Sequence, residues 1–174
     1  MAGRCVIEPG SLKCENYTAV GRIVGLDVGE RRIGVAISDA TRTLARPLAV
    51  LRTSGLDGDA LAVTMREIER LAAEEGIASI VIGLPRRLDG SPNEMTPRVE
   101  VFASKLHGRT GLPVMMQDER LSSHEAESRL AAREKNWRAR KDRLDAAAAA
   151  IILQDYLDTL PTVRPVIIGD EPGF

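Results

Sequence analysis

Three places in the sequence put carboxylates where chemistry could use them. These are Asp27 in "VGLDVGERRIGVAISD", Asp118 and Glu119 in "QDER", and Asp145 in "DRLDAAAAAIILQDYLD". Asp27 sits inside a strand pattern, with Val24, Leu26 and Val28 alternating with Gly25, Asp27 and Gly29. Residues two apart in a strand share a face, so Asp27 shares its face with two glycines. Glycine inside a strand weakens it and often marks a close approach by a ligand or another backbone. The next segment repeats the pattern, with Ile33, Val35 and Ile37 set against Gly34, Ala36 and Ser38. One face reads as packed, the other as kept open around a carboxylate. Asp118 and Glu119 close a later strand. Asp145 falls in the first turns of a helix whose same side carries Ala148, Ala149 and Ile152, a small apolar face able to lie close on a sheet.

Acids gathered from distant segments are costly unless something positive compensates them. A divalent cation is the common answer. Mg²⁺ takes one or two carboxylates, with substrate phosphate and water completing its shell, and paired ions serve phosphodiester hydrolysis. Each acid also has a plain structural reading. Asp27 could stabilise the turn before Gly29. Asp118 and Glu119 could be surface partners of Arg120. Asp145 could favour a helix N-terminus three residues after a cap at Asp142. Their joint placement with the small-residue face points to a metal centre.

Basic residues are grouped near these acids. Arg31 and Arg32 follow the Asp27 strand, and Arg86 and Arg87 follow "GLP". The stretch Arg133–Arg143 carries six Lys/Arg against two acids and holds the only tryptophan. There Trp137 could stack on a base while Arg138, Arg140, Lys141 and Arg143 meet phosphates. The competing reading is a solvated charged loop with Trp137 packed beneath it. His107 and His124 read as structural or surface residues.

The 174 residues suit one compact domain, and 44% hydrophobic content supports a real core. A net charge of −1 excludes a global basic field, so any nucleic-acid contact must be local. The two cysteines, Cys5 and Cys14, have no partners at zinc-ligand spacing. No secretory or membrane-spanning pattern is found. The expected location is cytoplasmic, away from any membrane.

Residues 1–20 read as an N-terminal extension and a candidate for disorder, 21–160 as the domain, and 161–174 as a tail. Strands are expected near 22–28 and 32–38, joined as a hairpin. A third follows in "RTLARPLAVLRT", where Pro47 argues for an edge or bulge. Then come a helix ending at Gly76, a strand in "IASIVIGLP", a helix starting at Thr96–Pro97, and a strand in "LPVMMQDER". Ser122 and Glu125 form a capping box that opens another helix. "NWRARK" breaks the pattern, and a final helix runs through "DRLDAAAAAIILQDYLDTL". Three antiparallel strands followed by α/β units predict a mixed five-stranded α/β sheet with helices packed on it.

In this order "GLDVGERRIGVAISD", "IVIGLPRRLDGS", "QDERLSSHEA" and "LDAAAAAIILQDYLD" resemble the motifs of the YqgF family, the RuvX-type Holliday junction resolvases and pre-16S rRNA nucleases. The resemblance covers Arg22 to Asp158. It implies an RNase H-like fold and a metal-dependent nuclease in ribosome biogenesis. The implied metal-holding acids are Asp27, Glu119 and Asp145, with Asp118 as a candidate additional acid. The implied cofactor is Mg²⁺ or Mn²⁺. The implied partners are pre-16S rRNA, pre-ribosomal particles or branched DNA, met by a monomer or homodimer. The stretch "KNWRARKDRLD" is more charged than that family's pattern. A junction resolvase is the alternative, and a symmetric dimer would serve it. An ATP-binding protein needs a second phosphate loop, for which the chain has no room. A non-catalytic RNA-binding module is disfavoured by acids that would repel phosphate.

Overall fold

The computed structural model describes residues 6–8, 11–13, 21–120 and 137–161, with side chains described for 21–119 and 142–161. The strands are β1 (Val6–Glu8), β2 (Ser11–Lys13), β3 (Arg22–Val28), β4 (Arg32–Ser38), β5 (Ala45–Arg52), β6 (Ile77–Arg86) and β7 (Val114–Arg120). The helices are α1 (Gly58–Glu75), α2 (Thr96–Thr110) and α3 (Trp137–Thr159).

The main sheet has the order β5-β4-β3-β6-β7. The pairs β3–β4 and β4–β5 are antiparallel, whereas β3–β6 and β6–β7 are parallel. This is the mixed sheet expected of an RNase H-like chain. Strands β3 and β4 form the expected hairpin, closed by the Gly29 N–H donating to the Arg32 carbonyl at 2.9 Å. Strand β5 lies at the sheet edge, and its register with β4 shifts between Val35 and Ala36, beside Pro47. Proline has no N–H for a ladder, so the edge and the bulge accommodate it.

The sheet is covered on both faces. On one, α1 presents Leu61, Met65 and Ile68, and α2 presents Val99, Phe102 and Leu106, against alternate strand residues such as Leu26 and Ile82. On the other, α3 lays Ala149, Ile152, Leu153 and Leu157 against Ile23, Ala36 and Val81. Strand β6 contributes Ile80 and Ile82 to one core and Val81 to the other, as its uninterrupted apolar run requires.

Three expectations change. The glycine face of β3 and β4 is not open along its length. A Cβ on Gly34 would lie 2.0 Å from the Asp145 carbonyl oxygen, and one on Gly25 would lie 2.7 Å from Leu153 Cβ. These glycines admit a helix backbone, not a ligand. "NWRARK" does not interrupt the last helix, because α3 begins at Trp137 and Asp142 is interior to it rather than its cap. Within residues 1–20, read as an extension and a candidate for disorder, β1 and β2 pair antiparallel, with Ile7 opposite Leu12. The helix predicted from Ser122 and Glu125 and the tail beyond Pro161 lie outside the described residues.

Candidate active site

Asp27 and Glu119 reach one cleft from different strands. It has a volume of 690 Å³ and is lined by both carboxylates together with Gly29, Glu30, Asn93 and Arg98, among others. It opens at the carboxyl ends of β3, β6 and β7, where parallel strands place their loops and ligand crevices form. Alternation carries both acids to this side. Asp27 shares its face with Ile23, and Glu119 with Met115, and both of these pack towards α3. Gly83 in the intervening strand makes room, since a Cβ there would stand 2.9 Å from Glu119 Oε2.

Asp145 arrives from above. Its backbone rests on Gly34, the cross-strand partner of Asp27, so α3 is as close to the sheet as a backbone allows. Its carboxylate is mostly buried, with 17% of the side chain exposed, and lies 3.2 Å from Arg32 Nε. Arg32 also reaches Asp142 at 3.7 Å, and Arg52 holds Asp142 at 2.7 Å. Asp145 is therefore beside the cleft rather than among its lining residues. Among the described residues, no three His, Cys, Asp or Glu side chains converge closely enough to hold an ion. The pair that does share the cleft, two hard-oxygen donors beside a glycine, suits a Mg²⁺-like ion that asks for one or two carboxylates.

Asp118 is not brought to this site. One residue from Glu119, it points to the opposite face, is exposed, and pairs with Arg86 Nε at 3.3 Å. A one-residue step in a strand reverses the side chain, which separates the two acids of "QDER".

The basic residues divide. Arg32 lies under α3 in ion pairs with Asp145 and Asp142. Arg86 is committed to Asp118 and to the Gly90 carbonyl. Arg31, Arg87 and Arg143 are exposed. Trp137, Arg138, Arg140 and Lys141 occupy the first turns of α3, and their side chains lie outside the described ones.

Arg98, which the sequence reading does not single out, lines the cleft. It is the third residue of α2. Asn93 Oδ1 accepts from the Met95 and Thr96 N–H groups at 2.9 and 3.0 Å, capping the helix. Thr96 Oγ1 donates to the Pro85 carbonyl at 2.5 Å. The helix does start at Thr96, but the capping oxygen is Asn93's. The signal for Arg98 was its place in the first turn after the "GLP" loop, at the end of the sheet where the acids meet.

The family model described as RuvX, Holliday junction resolvase, matches residues 21–159. The chain belongs to the RuvX family. A Burkholderia ambifaria relative named "Putative pre-16S rRNA nuclease" is 44% identical over 138 residues, covering 79% of this chain and 89% of the relative. An Anaeromyxobacter relative of the same name is 44% identical over 141 residues, covering 79% and 96%. Among solved structures, Thermus thermophilus RuvC in complex with a Holliday junction substrate is 16% identical, with a TM-score of 0.48, covering 79% of this chain and 93% of that one. The RuvX match spans the main sheet and the three described helices, and leaves out β1 and β2.

Proposed function

We propose that this RuvX-family chain is a metal-dependent endonuclease acting in 5′-end processing of pre-16S rRNA. The observation that carries it is the meeting of Asp27 and Glu119, from β3 and β7, in one cleft. Two carboxylates facing a polyanionic substrate make sense when a cation lies between them. Asp27 and Glu119 would hold Mg²⁺ or Mn²⁺ from the sheet side, and Asp145 is the third acid, fixed at the rim by Arg32. Held there, such an ion would supply positive charge for the phosphate and the leaving oxygen in phosphodiester hydrolysis. The chain's own groups shape the site. Gly83 leaves space for Glu119, and α3 rests on Gly34, the cross-strand partner of Asp27. The exposed Arg31, Arg87 and Arg143, with the start of α3, are the candidate outer contacts for a strand. The setting is cytoplasmic, with pre-ribosomal particles as the source of substrate and a monomer or homodimer as the acting form.

The family description favours a second substrate, the four-way DNA junction. One experiment separates them: wild type and Asp27→Asn are given a labelled pre-16S 5′ leader and a four-way junction in Mn²⁺. Cleavage of the RNA, lost in the variant, supports the proposal. Variant-sensitive cutting of the junction alone favours the resolvase. No cleavage, or equal cleavage by the variant, removes the catalytic assignment.

A further inference from the structure

We propose that Arg98 is the phosphate-holding residue of this cleft, and that Glu30 occupies its guanidinium until a nucleic-acid strand arrives. The inference rests on the nuclease reading and adds to it a residue and a mode of substrate capture.

The first argument is charge. Asp27, Glu30, Glu94 and Glu119 all line the cleft, and among the described residues Arg98 is the only cation that does so. A phosphodiester entering there meets four acids. Even with a metal on the sheet side, the opposite wall needs a positive group, and Arg98 is the one in place.

The second argument is position. Thr96 Oγ1 ties the start of α2 to the Pro85 carbonyl, and Pro85 is the ladder partner of Glu119. Arg98 and Glu119 are thus held against the same residue of β6, one through a helix start and the other through strand register. A residue two positions into a capped, anchored helix has little freedom in its backbone, so the guanidinium works from a fixed base.

The third argument is the guanidinium's present engagement. Nη1 donates to Glu30, and Nη2 stands 4.0 Å from Asp57. These contacts use part of the five N–H donors. Glu30 and Asp57 are 64% and 88% exposed, so the pairs they make are weak and exchange readily. A phosphodiester presents two non-bridging oxygens that can engage both ends of the guanidinium, where Glu30 accepts from Nη1. Glu30 sits in the β3–β4 turn, two residues before Arg32, and so holds Arg98 near the mouth rather than away from it.

The competing role is structural, a surface ion pair that ties α2 to the β3–β4 turn. Full-length protein distinguishes the two. Binding is read by fluorescence anisotropy with a labelled pre-16S leader RNA and a labelled four-way junction, in Ca²⁺. Cleavage of both is read in Mn²⁺, and melting temperature reports the fold. Arg98→Ala should weaken binding about 10- to 100-fold, the effect of losing one charged hydrogen-bonding group. It should also flatten the salt dependence by about one phosphate contact. Arg98→Lys should retain part of the affinity, and this variant decides the matter if Arg98→Ala does not fold. Glu30→Gln should tighten binding, and the gain should vanish in Glu30→Gln/Arg98→Ala. A wild type that cuts while Arg98→Ala binds and cuts equally well would overturn the assignment alone. A Glu30→Gln gain that survives loss of Arg98 would do the same, since it reports only a removed acid. A wild type that neither binds nor cuts either probe would overturn the nuclease reading and this inference with it.

Discussion

Arg32 and Arg52 face each other across the β4–β5 ladder, and like charges so placed repel. The repulsion is absorbed by α3, which sets Asp142 against both and Asp145 against Arg32. Arg32 and Asp145 are mostly buried, so their pair resists screening better than a surface pair, and removing one partner strands the other. Arg32→Ala should cost about 1–3 kcal/mol in urea denaturation, below the value for a fully buried pair. A double-mutant cycle with Asp145→Ala should return a coupling of at least about 0.5 kcal/mol. Additive losses would show that the pair does not hold α3 down. A second residue-scale device is the turn after β4. The Thr41 hydroxyl, then the Leu44 and Thr43 N–H groups and the Thr43 hydroxyl, donate to Asp39 and hold its carboxyl well below the usual carboxylate range. A depressed folded-state value means that this contribution is complete above about pH 4 and is lost as pH falls through the lower folded value. The Thr43 and Leu44 amide resonances should therefore move together at strongly acidic pH, and the movement should be absent in Asp39→Ala. At this scale the sequence was legible where alternation decides the outcome. Asp27 could be assigned a face from spacing, whereas Glu119 was preferred over Asp118 only through the family resemblance. The fate of Arg32 could not, because its partners come from a helix more than 100 residues away.

At the scale of elements, the decisive contact is α3 against β4. Alanine at Gly34 would drive a Cβ to 2.0 Å from the Asp145 carbonyl oxygen, and that obstacle is helix backbone rather than a side chain that can swing aside. Gly34→Ala should destabilise by about 3 kcal/mol or more, read by thermal or urea unfolding, and should lower cleavage further by lifting Asp145 from the rim. Gly108 is the control: it is exposed in α2, and a Cβ there meets nothing within 4 Å. Gly108→Ala should stabilise by about 0.5–1 kcal/mol through helix propensity. If both substitutions behaved alike, close approach would not be what Gly34 provides. The glycines were visible in the sequence, and so was the small face of α3, but the sequence reading treated them separately, as an open site and a packing face. They are two halves of one contact. The elements that were missed share a physical cause. Strands β1 and β2 are three residues each, too short to display alternation. The first turns of α3 are mostly charged, so they carry little apolar period by which to recognise a helix.

For the whole molecule, a net charge of −1 means that no long-range field draws nucleic acid in, and the cleft itself is acidic. On the proposed reading, affinity is assembled locally from the cleft cation, outer basic residues and a divalent ion. This makes metal removal a test of the binding step as well as of the reaction. In EDTA the wild type should bind labelled RNA weakly, and adding Mg²⁺, Mn²⁺ or Ca²⁺ should tighten binding at least about tenfold at constant ionic strength. Asp27→Asn/Glu119→Gln removes two of the four cleft carboxylates. It should bind better than wild type in EDTA, since two repelling charges are gone, yet gain little from added metal. The crossing of these two responses distinguishes a metal held by Asp27 and Glu119 from counterions gathered by the phosphates. Ions condensed on the RNA would raise the affinity of both proteins alike. A parallel rise would thus place the metal on the nucleic acid and leave the two acids without the role that their shared cleft suggests. A wild-type gain lost in the double variant would locate it between β3 and β7, where the fold brings those carboxylates together.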